Sequence, residues 1–367
     1  MRSLLIILSG FASLHCFAQN SVVNVPSTKV AGIEVGSKGV KLSVLEKQHQ
    51  NDFKLLKDSS INSDFISFNE SSFNSTLNAL SGLYNYCRET QNIPSADIAT
   101  LISSGVKAQA DKLGKNDQIT NLINAFKTKI KEEKRVVDVV SVKQESILSH
   151  QGIIPISERY TTFLIDIGSG NTKGGYFSLD ANDFVMFQIP SGTKSVTNTT
   201  EKNCGSNCEF TSFKNQVDRV IDSVEQKEIA YAVNASGAYP ASSKMALSGG
   251  IAWATATLLY PERTSEQQIE VTYKDVNRFR EGLIKFYKDI PDTNKLVIKN
   301  VSSAKLSQIR GELQKVINVF DIKSLLAGSS LMLRIMRQFE PANGTKKFVL
   351  IKNGQVGWIT GYVLSQK

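Results

Sequence analysis

Glu34 and Asp166 each stand at the end of an apolar run, with Gly-Ser two and three residues on and a lysine seven residues on. The first copy reads Gly32-Ile-Glu-Val-Gly-Ser-Lys-Gly-Val-Lys-Leu-Ser-Val44, and the second Leu164-Ile-Asp-Ile-Gly-Ser-Gly-Asn-Thr-Lys-Gly-Gly-Tyr176. A tight Gly-Ser turn between two strands presents backbone N–H groups outward, and such groups cradle phosphate oxygens. Gly36, Ser37 and Lys38, and Gly168, Ser169, Gly170, Asn171, Thr172 and Lys173, are the candidate phosphate contacts. An acid at the end of the leading strand can hold Mg²⁺ directly or through water, which makes Glu34 and Asp166 candidate metal ligands. The lysines of the return strands, Lys41 and Lys173, either add positive charge or alternate outward to solvent. Two copies in one chain suggest a duplicated fold with a cleft between its halves.

The elements around the two turns repeat in order. Val30–Val35 and Val40–Glu46 read as strands joined by the first turn, with a third strand at Phe53–Leu56. Phe73, Leu77, Leu80, Leu83, Tyr84 and Cys87 recur at helical spacing over 71–90. A strand at Ile98–Ile102, a helix faced by Ile119, Leu122, Phe126 and Ile130, a strand at Val136–Val142 and a helix around Glu145–His150 follow. In the second half Phe163–Ile167, Gly175–Leu179 and Phe184–Ile189 read as a meander, then a loop carrying Cys204 and Cys208, then a helix faced by Phe213, Val217, Val220, Ile221 and Val224. Ile229–Val233 and Lys244–Leu247 read as strands, Ile251–Leu259 as a helix after Gly249-Gly250, and 275–288, 303–318 and 322–338 as helices. The end reads as a β-hairpin: Phe348–Lys352, an Asn353-Gly354 turn and Val356–Leu364. Helix–strand alternation after each meander predicts an α/β fold with mixed sheets and flanking helices. The two domains are expected at 30–157 and 158–367, parted where Pro155 breaks the pattern.

Residues 1–18 have the layout of a cleavable signal peptide: Arg2, an apolar stretch from Leu4 to Leu8, and small Ala18 before Gln19. They predict a secreted or periplasmic protein; Cys16 as a lipid attachment site is the alternative. No later stretch is long and apolar enough to span a bilayer. Hydrophobic residues make up 41% of the 367, enough for a packed core and against global disorder. The net charge of +9 suits an ordinary basic exported protein or one that attracts polyanions. The densest basic run, Lys127, Lys129, Lys131, Lys134 and Arg135, is interleaved with Glu132 and Glu133 and lacks the aromatics of a nucleic-acid platform, so no nucleic-acid partner is expected. Cys204 and Cys208 read as a small disulfide loop, or as half of a metal site whose other ligands are scattered.

The pair of turns resembles the two phosphate loops of the actin, Hsp70 and sugar-kinase superfamily. Within it the chain most resembles the exopolyphosphatase and guanosine-pentaphosphate phosphatase family, with features shared by apyrases. Ile102-Ser-Ser-Gly-Val-Lys-Ala-Gln109 resembles the segment after the family's first helix, Val140 to Gly152 its Ser-Gly-x-Glu-Glu-Ala-x-Leu segment, and Gln188 to Gly192 its Leu-Pro-x-Gly turn. Met245 to Ala252 resembles its late Gly-Gly turn, and Leu325 to Met332 its closing helix. The resemblance covers roughly 30–338. It implies two ribonuclease H-like domains with an interdomain cleft, Mg²⁺ as cofactor, polyphosphate or a nucleotide as substrate, and Gly249 and Gly250 among the phosphate contacts. A homodimer is left open.

The family's water-activating glutamate maps to Glu145, with Asp166 as its catalytic companion; without the resemblance, Glu145 reads as an exposed acid favoured at a helix N-terminus. The departures include two that add positive charge, at Lys38 and Lys173. Glu34 replaces the family's aspartate, Lys38-Gly39 its Asn-Ser, Val142 a glycine, and Lys173 an acid implicated in metal or water binding. Two functions follow: an exported hydrolase of phosphoanhydrides, or a non-catalytic relative that binds a polyanion or a protein. Export argues against a kinase, since free ATP is scarce outside the cytoplasm.

Overall fold

The computed structural model describes residues 29–37, 39–47, 53–179, 183–237, 242–294, 301–340, 346–352, 354 and 357–365. The signal segment, Cys16, Lys38 and Asn353 therefore lie outside the described residues.

Apolar alternation and short turns build the first sheet. Strands β1 (Lys29–Val35), β2 (Gly39–Lys47) and β3 (Phe53–Asn62) form an antiparallel meander, and β4 (Ile98–Ile102) and β5 (Asp138–Val139) add in parallel beside β1. Helices α1 (Glu70–Asn85), α2 (Ser104–Leu113) and α3 (Asn116–Ile130) carry Leu80, Leu83, Val106, Leu122 and Phe126 onto Ile33, Val35 and Leu42 of this sheet. Helix α1 runs on as a π-turn through Tyr86–Thr90. The expected strand at 136–142 shrinks to β5, because Ser141 and Gln144 form a reciprocal capping box that starts α4 (Val142–Ile153).

The second sheet repeats the pattern and extends it. Its order is β10-β11-β9-β6-β7-β8, where β6 (Thr162–Ile167), β7 (Thr172–Phe177) and β8 (Phe184–Ile189) are the meander. Strands β9 (Lys244–Ser248) and β11 (Lys347–Ile351) add in parallel, and β10 (Gln268–Val271), absent from the sequence reading, closes the edge antiparallel. Helices α5 (Thr193–Cys204), α6 (Phe210–Val224), α7 (Ala230–Ser236), α8 (Gly250–Leu259), α9 (Tyr273–Lys285), α10 (Ser303–Val319) and α11 (Ile322–Phe339) complete this half. Residues 229–233 are not a strand: a π-turn at Glu225–Ile229 leads into α7, and buried Ile229, Ala232, Val233 and Ser236 follow helical spacing. The segment expected as a loop is mostly α5, with Cys204 at its end bonded to Cys208.

The chain does not end in a hairpin. Residues Gly357–Ser365 form helix α12. The β-branched and aromatic residues there favour a strand, but Gly357 and Gly361, four apart, share one helical face and let α12 press against α4. A Cβ on Gly361 would stand 2.0 Å from the Leu148 carbonyl oxygen, and one on Gly152 would stand 1.9 Å from that of Gly357. The two helices are exchanged between the halves. Helix α12 packs Trp358, Ile359 and Val363 onto Val30, Leu45 and Leu101 of the first sheet. Helix α4 lays His150 edge-on against Phe177 and Phe184 of the second. Each helix thus packs onto the sheet that the other half of the chain builds.

Among the described residues no single helix is long and apolar enough to cross a membrane; α10 and α11 reach that length only together, across a 91° bend.

Candidate active site

Turn geometry fixes the two acid–lysine pairs. The Gly36 N–H donates to the Gly39 carbonyl at 2.9 Å and the Gly168 N–H to that of Asn171 at 3.0 Å, closing each hairpin in the same register. Glu34 therefore lies opposite Lys41 across β1–β2, and Asp166 opposite Lys173 across β6–β7. The seven-residue spacing is a cross-strand pairing, and both pairs reach the space between the sheets.

Helix α4 brings in the third acid. Glu145 is only 3% exposed, so it is not the solvent-facing acid that its helix position alone suggests. Its Oε1 is 2.8 Å from Lys173 Nζ, and its Oε2 accepts the Ser104 N–H at the start of α2 at 2.9 Å. Burial works to raise its pKa, but Lys173 and the Ser104 N–H outweigh that and hold the carboxyl below the usual 4.5. Lys173 Nζ is also 3.6 Å from Asp166 Oδ2. Burial opposes its charge, yet Glu145 and Asp166 hold it well above the usual ammonium range. Asp166 Oδ1 accepts the Ser248 hydroxyl at 3.1 Å.

Glu34 has different company. The Trp358 indole N–H donates to its Oε2 at 3.2 Å, and Lys41 Nζ stands 3.7 Å from the same oxygen. Burial pushes Glu34 above the usual carboxylate value despite Lys41, and neighbouring Glu145 adds to the rise. Lys41 is raised in turn, chiefly by Glu34.

The hairpin tips rest on helix N-termini, whose first N–H groups are taken up by the site itself. A Cβ on Gly105, in the first turn of α2, would be 3.1 Å from Ser37 Oγ. The Gly168 and Ser169 carbonyls accept the Thr193 and Lys194 N–H groups at the start of α5, at 2.9 and 2.8 Å, leaving Ser169 and Gly170 exposed at the tip and Asn171 half-buried. The buried Thr172 hydroxyl donates to the Ser191 carbonyl at 2.7 Å and is turned away from the tip. Gly249, just before α8, has φ +94°, and a Cβ there would stand 2.3 Å from the Ile167 carbonyl oxygen and 2.9 Å from Asp166 Oδ1. Glycine is what allows this turn to pass Asp166 and start α8 at Gly250.

Trp358, Ser248 and the Ser104 N–H escaped the sequence reading. Trp358, one of two tryptophans in the chain, fell inside the segment read as a strand; Ser248 was visible as the residue before Gly249-Gly250. The basic run does not join the site. Arg135 turns inward, donating to Thr100 Oγ1, the Ile98 carbonyl and Glu132. Cys204 and Cys208 form a disulfide at the end of α5, and Cys87 is a buried thiol that burial pushes up to about 12.

The donor set does not fit Mg²⁺. Magnesium requires near-octahedral oxygen ligands at about 2.0–2.1 Å, and here an ammonium already lies against Glu145 and Asp166. No group of three or more His, Cys, Asp or Glu among the described residues is arranged to hold a metal.

No protein-family model matches the chain, and no curated protein matches it. Solved structures do. A Ppx/GppA family member from Aquifex aeolicus aligns with a TM-score of 0.63 at 15% identity, covering 93% of this chain and 98% of its own. An exopolyphosphatase-like protein aligns at 0.64 and 13% identity, covering 92% and 98%. An exopolyphosphatase from Cytophaga hutchinsonii aligns at 0.59 and 13%, also covering 92% and 98%. The chain thus has the α/β fold of the Ppx/GppA structures, with mixed sheets and flanking helices.

Proposed function

We propose that this chain is an exported hydrolase of phosphoanhydrides, acting on polyphosphate or nucleoside di- and triphosphates in the cleft between its two sheets. The observation that carries the reading is the convergence of Glu34, Glu145 and Asp166 with Lys41 and Lys173 between two phosphate-loop-like hairpins. Structures of the same fold bear the names Ppx/GppA phosphatase and exopolyphosphatase, which supports that choice of substrate class. The Cys204–Cys208 disulfide fits an oxidising compartment and so supports export.

Phosphoryl transfer asks a protein mainly for positioning and for charge around the phosphate. The tips at Ser37 and at Ser169–Gly170 hold the chain of phosphates, and Lys41 and Lys173 face its negative charge. Glu145 orients the water that attacks the terminal phosphorus; the P–O bridge breaks and the water's proton passes to phosphate oxygen. Because Glu145 is held below its usual pKa, its part is alignment more than proton removal. Phosphate release from polyphosphate, ATP and GDP by the purified protein tests this. Glu145→Gln should lower the rate at least about 100-fold with circular dichroism unchanged, and an undiminished rate removes Glu145 from the reaction.

One observation favours the second reading, a polyanion-binding protein without turnover. Both Glu145 oxygens already have partners, Lys173 and the Ser104 N–H. Stabilisation by polyphosphate with no phosphate released would select it.

A further inference from the structure

We infer that the Lys173 ammonium is a built-in cation, standing where a divalent ion shared by Glu145 and Asp166 would sit, and that this cleft therefore engages phosphate without a resident metal. The inference rests on the reading of the cleft as a phosphate site.

Position carries it first. Lys173 Nζ lies 2.8 Å from Glu145 Oε1 and 3.6 Å from Asp166 Oδ2, so an ion bridging those carboxylates needs the volume the ammonium fills. Confinement is the second point. Lys173 is 6% exposed and sits on β7, an interior strand hydrogen-bonded to β6 on one side and β8 on the other. The third point is the remaining lone pairs. Each carboxylate has its other oxygen on a neutral donor, Glu145 on the Ser104 N–H and Asp166 on the Ser248 hydroxyl. The oxygens left over, Glu145 Oε1 and Asp166 Oδ2, are the ones that face Lys173, so even a hydrated Mg²⁺ that needs only one or two carboxylates meets the ammonium at both.

An ammonium does part of a metal's work with fewer demands. It carries one charge and three N–H donors. One is directed at Glu145, Asp166 is held by charge at 3.6 Å, and the remaining donors are left for an oxygen of an incoming phosphate. The strand register that places a lysine opposite Asp166 thus supplies the positive charge that a phosphate would otherwise meet on a metal.

The test measures the melting temperature of the purified protein in EDTA, in excess MgCl₂ or MnCl₂, and with pyrophosphate in EDTA or in MgCl₂. Wild type is expected to show no rise with either metal, and an equal pyrophosphate-induced rise of about 2 °C or more with and without metal. Lys173→Gln, which frees the two carboxylates from the ammonium, is expected to gain a metal-induced rise of about 2 °C or more. A saturable rise of wild type with Mg²⁺ or Mn²⁺, or a pyrophosphate effect seen only with metal, overturns the inference. If Lys173→Gln does not fold, the wild-type arms decide alone. If pyrophosphate has no effect in any condition, the phosphate reading falls, while the metal responses of wild type and variant still decide the place of Lys173.

Discussion

The two hairpins share a turn, a register and an acid–lysine pair, yet they bury opposite members of it. In the first, Glu34 is enclosed and the Lys41 side chain is 40% exposed. In the second, the Lys173 side chain is 7% exposed and Asp166 is the more open partner at 18%. Local sequence sets who faces whom; the neighbour from elsewhere in the chain sets who goes inside. The first hairpin meets an indole donor, which suits a carboxylate. The second meets the Glu145 carboxylate, which suits an ammonium. The two hairpins are matching frames whose buried charges have opposite signs.

Removing the buried member of each pair measures that difference. Lys173→Met leaves Glu145 buried with only a backbone donor, and breaking a buried pair in this way costs about 3–5 kcal/mol. Urea unfolding should show that loss, and adding Glu145→Leu should recover part of it; a loss below about 1 kcal/mol would mean that Lys173 is not buried as described.

Acid titration separates the two glutamates by sign. Glu145 titrates below its usual 4.5 in the folded state, so its contribution is present above that pH and is lost as pH falls through the folded value. Glu34 titrates above 4.5 when folded, so its contribution is full below 4.5 and is lost as pH rises through the raised value. Falling pH should therefore favour wild type over Glu34→Gln down to about 4.5, and should favour Glu145→Gln over wild type below it. Denaturant midpoints measured from pH 7 to 3 would contradict the contrast if both differences moved the same way.

The smallest effect belongs to the exposed lysine. Lys41→Gln should cost about 0.2–1 kcal/mol and become indistinguishable from wild type in 1 M salt. A salt-independent loss as large as that of Lys173→Met would erase the distinction between the hairpins.

What could be read from sequence was what is decided locally. The meanders, the two turns and the cross-strand lysines follow from periodicity and loop length over a dozen residues, and Glu145 followed from a resemblance. The company of each acid was hidden, because Glu34 and Trp358 lie 324 residues apart. The same distance explains the misread end of the chain. Residues 357–365 have strand-like composition, and only the approach of α4 gives Gly357 and Gly361 a reason to share a face. Residues 229–233 failed for a milder reason: a π-turn ahead of them shifts the helical phase, so the buried positions look like a short apolar run.

The exchange of α4 and α12 also orders events in time. As the chain is made, Val30, Leu45 and Leu101 emerge early, but the residues that cover them, Trp358, Ile359 and Val363, emerge long after them. Until then, the first half keeps an apolar sheet face uncovered and Glu34 without its indole partner, so it cannot complete its fold before α12 is made. The first sheet stays unfinished until α12 arrives to close it.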